Sequence, residues 1–406
     1  MTDARTWSPR RLVVAALAVF ALSRLVSTVF LLIARSHQEP YPPWTGEDGT
    51  VSFLDMSVLW DGSWYRLIAE EGYPVDLPLH HDGNVAQNQW AFYPLFPSLA
   101  RSFMVIPGVD FRLAATVVAL AAGAGAAVLM VRLFARFTPA PVALTAMAVW
   151  AVQPAAPTLQ VAYAESLATL VLVVLFTSLV DRRWLEVAVL ALILGVTRPT
   201  ALPLALVVGV VFLREAWHCW RAPGRRLTEL AGPLAATVVT GASGLIWPTL
   251  VSLRTGVGDG YLQTMASWRA GGEIVPFRPW IDNTAILLFS DHPNPRLAAL
   301  LAVATLALFL IAAAAGPWAS RLPLELRLWL VAYPAYLAAV LDVGTSLIRY
   351  GVLLFPLALV LIGGGLRRIP RWWPALAVIV IAGFIWLQYL WTLGLFVLEP
   401  PSGYPP

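Results

Sequence analysis

LVVAALAVFALSRLVSTVFLLIA, residues 12–34, decides the fold class. About 20 largely apolar residues suffice to cross a bilayer as a helix, and this run reaches that length with one charge, Arg24. Arg5, Arg10 and Arg11 precede it and Arg35 ends it. A signal peptide has a shorter apolar core and a small-residue cleavage site. The run is therefore expected to be an uncleaved first span with its N-terminus in the cytoplasm.

The rest of the chain agrees with that start. Of 406 residues, 59% are apolar and 12% charged. Soluble domains hold roughly half apolar and a quarter charged residues, so an ordinary soluble protein is excluded. The mean hydropathy is +0.73. Further apolar runs lie near 111–133, 140–153, 162–180, 184–197, 199–213, 230–252, 296–315, 326–342, 347–366 and 373–396. With the first they predict an all-α polytopic membrane protein of about eleven transmembrane helices. Residues 1–406 are expected to form a single integral membrane domain. Its first extracytoplasmic loop would be 36–110 and its second large one 254–295. Pro94 and Pro97 suggest a short interfacial segment before the second span.

All 27 basic residues are arginine and the net charge is +4. The expected cytoplasmic turns hold Arg132 and Arg136, Arg182 and Arg183, Arg214, Arg221, Arg225 and Arg226, Arg321 and Arg327, and Arg367, Arg368 and Arg371. That bias follows the positive-inside rule. It accounts for the basic balance without nucleic acid, for which the clustered basic and aromatic surface is lacking. The single cysteine, Cys219, excludes an intramolecular disulfide. Nine of the 23 acidic residues fall in 36–90, on the expected outer side.

Ionisable groups in or beside spans are costly and mark functional pathways by default. Arg24, Glu165, Arg198 and Arg349 stand out, the last three near the expected outer surface. Interhelical ion pairing is the structural alternative for each. Arginine's planar fork suits phosphate, so outer arginines beside carboxylates fit a phosphorylated lipid.

The richest local stretch is LWDGSWYRLIAEEGYP, residues 59–74. Trp60, Trp64 and Tyr65 surround Asp61 and Gly62. A helix over Ser63 to Glu70 would bring Trp60 and Trp64 near one face, with Asp61 at or before the helix start. Two readings stay open on chemistry alone. Asp61 is an N-cap and the aromatics interface anchors, or the group is a sugar site in which rings pack on C–H faces and the carboxylate takes a hydroxyl proton.

WDGSWYRLIAEEGYP resembles the signature of the GPI mannosyltransferase 2 family (PIG-V type) and its actinobacterial relatives. AFYPLFPSLAR (91–101), AYAESLATL (162–170), GVTRPTALP (195–203), YLQTMASWR (261–269) with VPFRPW (275–280), and IRYGVLLFP (348–356) resemble further family segments in the same order. Pro199-Thr200 after Arg198 departs from the family turn, and nothing beyond about residue 360 resembles the family. The resemblance implies a GT-C-type glycosyltransferase with its active site on the non-cytoplasmic face of the plasma membrane. It implies transfer of mannose from a polyprenyl-phosphate-mannose donor, with inversion, to a glycolipid or lipid-linked acceptor. Asp61 takes the catalytic role. Trp60, Trp64, Tyr65, Asp55, Glu165, Arg198, Arg269, Arg349 and Tyr350 are the expected substrate-binding residues.

On that reading Asp61 is the general base, with Asp55 and Glu165 as second choices. Arg198, Arg349 or Arg269 would neutralise the leaving phosphate. No cofactor and no metal are expected, since Asp55 and Asp61 do not form a DxD pair and His80-His81-Asp82 reads as a solvated tract. Membrane lipids are the remaining partners. The competing reading is a multispanning transporter or flippase, which predicts internal repeats and helices broken near the midplane; no internal repeat is found.

Overall fold

A computed structural model describes residues 7–40, 50–221, 227–269, 275–344 and 346–398. Arg5, Glu47, Asp48, Arg225, Arg226 and the tail from 399 lie outside the described residues. The described residues are helical, with one isolated bridge between Leu79 and Val85.

In chain order the helices are α1 (Pro9–Ser36), α2 (Phe53–Met56), α3 (Asp61–Glu70), α4 (Leu95–Phe103), α5 (Phe111–Phe134), α6 (Ala140–Ala151) and α7 (Glu165–Val180). There follow α8 (Trp184–Gly195), α9 (Ala201–Arg221), α10 (Ala231–Thr255), α11 (Gly260–Ala266), α12 (Arg278–Phe289), α13 (Pro295–Ala315) and α14 (Leu324–Val340). The last three are α15 (Leu347–Tyr350), α16 (Pro356–Leu361) and α17 (Trp373–Phe396).

Six helices among the described residues are long and apolar enough to cross a membrane: α1, α5, α9, α10 with the turn before it, α13 and α17. This is the pattern of a multi-pass membrane protein. The apolar runs at 140–153, 162–180 and 184–197 form the shorter helices α6, α7 and α8. The run at 347–366 is not one continuous helix. It breaks into α15, a 3-10 turn at Gly351–Leu353 and α16. Pro356 starts α16 and a left-handed Gly363 follows it, and both residue types interrupt helices.

The chain forms two compact units, one of residues 1–72, 94–174 and 345–406, the other of 73–93 and 175–344. In the first, α1 packs against α5, α6 and α17. Ser8 caps α1 by accepting from the Arg11 N–H at 3.3 Å, with Pro9 in its first turn. Small residues let α1 and α5 approach: a Cβ built on Gly123 would meet the Phe20 ring at 2.6 Å. The short segment anticipated at Pro94 and Pro97 is α4, which packs on α3 and α5.

In the second unit α8 and α9 pack on α10, and α14 packs on α9 and α13. Residues 73–93 contribute an aromatic cluster there. Tyr73 stacks on Trp90 at 4.4 Å, and Trp247 of α10 lies 5.0 Å from Tyr73, 5.4 Å from Trp90 and 5.6 Å from Tyr93. The indole N–H groups are satisfied: Trp90 donates to the Pro74 carbonyl at 2.9 Å and Trp247 to the Trp90 carbonyl at 3.0 Å. Aromatic pairs of this kind add about 0.5–1.5 kcal/mol each beyond area burial. They hold residues 73–93 as ordered structure rather than open loop.

Candidate active site

The first unit builds its polar centre from a sharp turn. Leu59 to Gly62 closes with the Gly62 N–H donating to the Leu59 carbonyl at 3.1 Å. Trp60 sits in this turn at φ 57, ψ −119. Glycine takes such a backbone readily and a bulky side chain does so at a cost of about 1–3 kcal/mol. Asp61 then opens α3. The first residue outside that helix is Trp60, and no side chain caps it. The N-cap reading of Asp61 is therefore overturned, because its carboxylate is turned to another partner.

That partner is Arg349 of α15. Arg349 Nη1 donates to Asp61 Oδ2 at 2.5 Å. Its Nε lies 3.4 Å from Glu165 Oε1, an ion-pair contact too misaligned for a hydrogen bond. The Arg349 side chain is 3% exposed, Glu165 is fully buried, and Asp61 keeps 17% of its side chain open. Two ring faces complete the enclosure: the Arg349 guanidinium carbon is 5.0 Å from the Tyr163 ring and 5.3 Å from the Tyr350 ring. One buried guanidinium thus faces two carboxylates, and only Asp61 meets solvent.

The backbone around this triad is fastened from both sides. The Ala162 N–H donates to the Ser57 carbonyl at 2.8 Å and the Tyr163 hydroxyl to the Leu59 carbonyl at 3.3 Å. Gly62 keeps the contact close, since a Cβ there would lie 3.1 Å from the Ser57 carbonyl oxygen, which would have to give by a few tenths of an ångström, and 3.4 Å from Ala162 Cβ. The turn carrying Asp61 and the segment leading into Glu165 are therefore docked on each other. Tyr163 and Gly62 were not singled out from sequence as site residues. Tyr163 stood in the quoted AYAES segment, but its ring over Arg349 depends on a contact across the chain.

The other expected site residues are placed as follows. Trp64 is half-buried on α3. Tyr65 is buried, its ring edge-on to Phe96 at 5.2 Å. Asp55 is engaged by Ser52 in a capping box and by Arg112 Nη1 at 2.5 Å. Burial pushes the Asp55 carboxyl up, and the hydrogen bonds from Ser52 and Arg112 outweigh it and hold the group below its ordinary value. Asp110, 2.6 Å from Arg112 Nη2, is lowered likewise: burial raises it, and the Leu113 N–H and Arg112 more than offset that. Arg198 and Arg269 belong to the second unit. Arg198 is buried between α8 and α9, and its charge is felt by Tyr93. Arg269 donates to the Val340 carbonyl at 3.4 Å.

Arg24, flagged as a buried charge, has a structural partner set. It donates to the Ala151 and Ala156 carbonyls, both at 2.5 Å. Ala151 ends α6, so the guanidinium sits at a helix C-terminus, where exposed carbonyls favour a cation. Among the described residues no group of His, Cys, Asp or Glu is arranged to hold a metal ion. His80, His81 and Asp82 are exposed, with the Asp82 carboxylate bonded to Asn84.

No protein-family model matches this chain, and no curated protein matches it.

Proposed function

We propose that this chain is a membrane glycosyltransferase that moves mannose from a polyprenyl-phosphate donor to a lipid-linked or glycolipid acceptor on the extracytoplasmic face. The observation that carries the reading is Asp61. It is the acid of the WDG stretch and the one partly open carboxylate of a buried group with Glu165 and Arg349. In a single displacement the acceptor oxygen attacks the anomeric carbon and its proton passes to the Asp61 carboxylate. The bond from that carbon to the phosphate oxygen breaks, and polyprenyl phosphate leaves with the electron pair. The stereochemistry inverts.

Arg349 is the cation nearest the base. Its described polar contacts use Nη1 and Nε of a group with five N–H donors. With the guanidinium 3% exposed behind Asp61, its charge stabilises the growing phosphate charge through space rather than by direct contact. On this reading the six long helices, the shorter α6, α7, α8 and α14, and the broken segment 347–366 together make a GT-C-type arrangement of about eleven crossings, with the N-terminus cytoplasmic and residues 36–110 outside.

The test is to supply membranes carrying the protein with radiolabelled polyprenyl-phosphate-mannose and to follow label into extractable lipid, polymer and protein. Label entering the lipid fraction supports the reading. Label remaining on the donor, with folded protein present, refutes it; uptake of a polar solute by proteoliposomes would then favour the transporter.

A further inference from the structure

The geometry points to α17 as the element that positions Asp61, with Trp60 as the link between them. This rests on the reading of Asp61 as the base. Trp60 holds a backbone conformation that side chains rarely adopt, at φ 57 and ψ −119. Such a conformation persists only where surrounding contacts over-determine it. Two sets of contacts do so. The Trp60 carbonyl accepts from the Ser63 N–H at 2.9 Å and the Ser63 hydroxyl at 2.7 Å. The Trp60 indole N–H donates to the Leu395 carbonyl at 3.1 Å, 335 residues away in sequence.

Leu395 lies in the last turn of α17, where the final four carbonyls have no partner within the helix. The next carbonyl, of Phe396, accepts from Gln38 Nε2, and Gln38 Oε1 accepts from the Leu398 N–H at 3.0 Å. Two side chains therefore secure the end of α17, and only Trp60 adjoins Asp61. The Ser63 bonds remain when the indole tether is lost, but the strained Trp60 backbone then has one restraint fewer against relaxing to negative φ. That rotation re-aims the peptide carrying Asp61 and draws its carboxylate from Arg349 Nη1. Trp60 is thus a positioning residue, acting through its N–H, rather than a platform on which a sugar stacks.

The test compares purified full-length wild type with Trp60→Phe, Trp60→Gly and Gln38→Leu, using polyprenyl-phosphate-mannose and a membrane lipid extract as acceptor. Trp60→Phe keeps a ring and removes the N–H. Trp60→Gly also lacks the N–H and takes positive and negative φ without strain, so it leaves the aim of Asp61 unfixed while guarding against a folding failure. Both lower kcat about tenfold or more with the donor KM within about twofold, the signature of a misplaced reacting group. Gln38→Leu lowers the melting temperature yet keeps kcat within about twofold. A structure of Trp60→Phe shows Asp61 displaced from Arg349. Wild-type kcat in Trp60→Phe overturns the inference, as does an equal kcat loss in Gln38→Leu. If wild type itself transfers nothing, the glycosyltransferase reading fails. The Trp60→Phe structure then decides the positioning claim alone, and an intact 2.5 Å pair between Asp61 and Arg349 refutes it.

Discussion

Arg349 Nη1 stands 2.5 Å from Asp61 Oδ2, joining residues 288 positions apart through a guanidinium that is 3% exposed. Removing one partner of a buried pair strands the other charge, at a cost of about 3–5 kcal/mol. Arg349→Ala leaves both Asp61 and Glu165 uncompensated, so it should lower the melting temperature sharply in detergent. Asp61→Asn leaves Glu165 to face Arg349 and should cost far less stability. Equal melting temperatures for Arg349→Ala and wild type would contradict this picture of the pair.

Arg24 should behave as a structural residue. Its guanidinium satisfies two carbonyls at the end of α6 and in the turn that follows. Hydrogen bonds to a charged group contribute about 1.5–3 kcal/mol. Arg24→Leu should therefore destabilise the fold while retaining transfer per folded molecule. Loss of transfer with unchanged unfolding would instead place Arg24 in the substrate path.

Asp55 and Asp110 share Arg112, and both carboxyls are held below their ordinary value in the folded chain. A carboxylate lowered in this way contributes stability above its unfolded pKa, near 4, and that contribution is lost as pH falls through the folded value. The wild-type melting temperature should fall over that acidic window, and Arg112→Ala should flatten the decline. The side chains are between 34% and 45% exposed, so the effect is screened and should shrink in high salt. Parallel pH profiles for the two proteins would show that Arg112 does not set these carboxyls.

Trp247 fills the aromatic cluster of the second unit against Tyr73, Trp90 and Tyr93. Trp247→Ala should cost about 3–5 kcal/mol through the cavity left behind. Limited proteolysis between residues 73 and 93 should rise in that variant. Unchanged protease resistance would mean that the cluster does not secure the segment.

Much of the fold is legible because a bilayer-length apolar run leaves little choice. The run at 12–34 became Pro9–Ser36, that at 111–133 became Phe111–Phe134, and that at 373–396 became Trp373–Phe396. Ser8 and Pro9 also mark the start of the first helix by ordinary capping chemistry. Residues 347–366 misled because mean apolarity carries no backbone information, whereas Pro356 and Gly363 do. Glu165 and Arg349 are legible as costly charges in or beside spans, and Asp61 as the carboxylate flanked by aromatics in residues 59–74. Their pairing was not, since it depends on which helices meet rather than on local pattern. Trp60 shows the same limit. Its ring left interface anchoring and sugar stacking both open, but its positive φ and its bond to Leu395 are properties of the folded chain.

The most direct measurement is transfer of mannose from polyprenyl-phosphate-mannose by purified wild type and by Asp61→Asn, normalised to folded protein. The substitution keeps size and shape and removes the proton acceptor. The account predicts lipid-linked product from wild type and a rate at least about a hundredfold lower from the variant, in line with loss of a general base. Equal rates from the two proteins would contradict it.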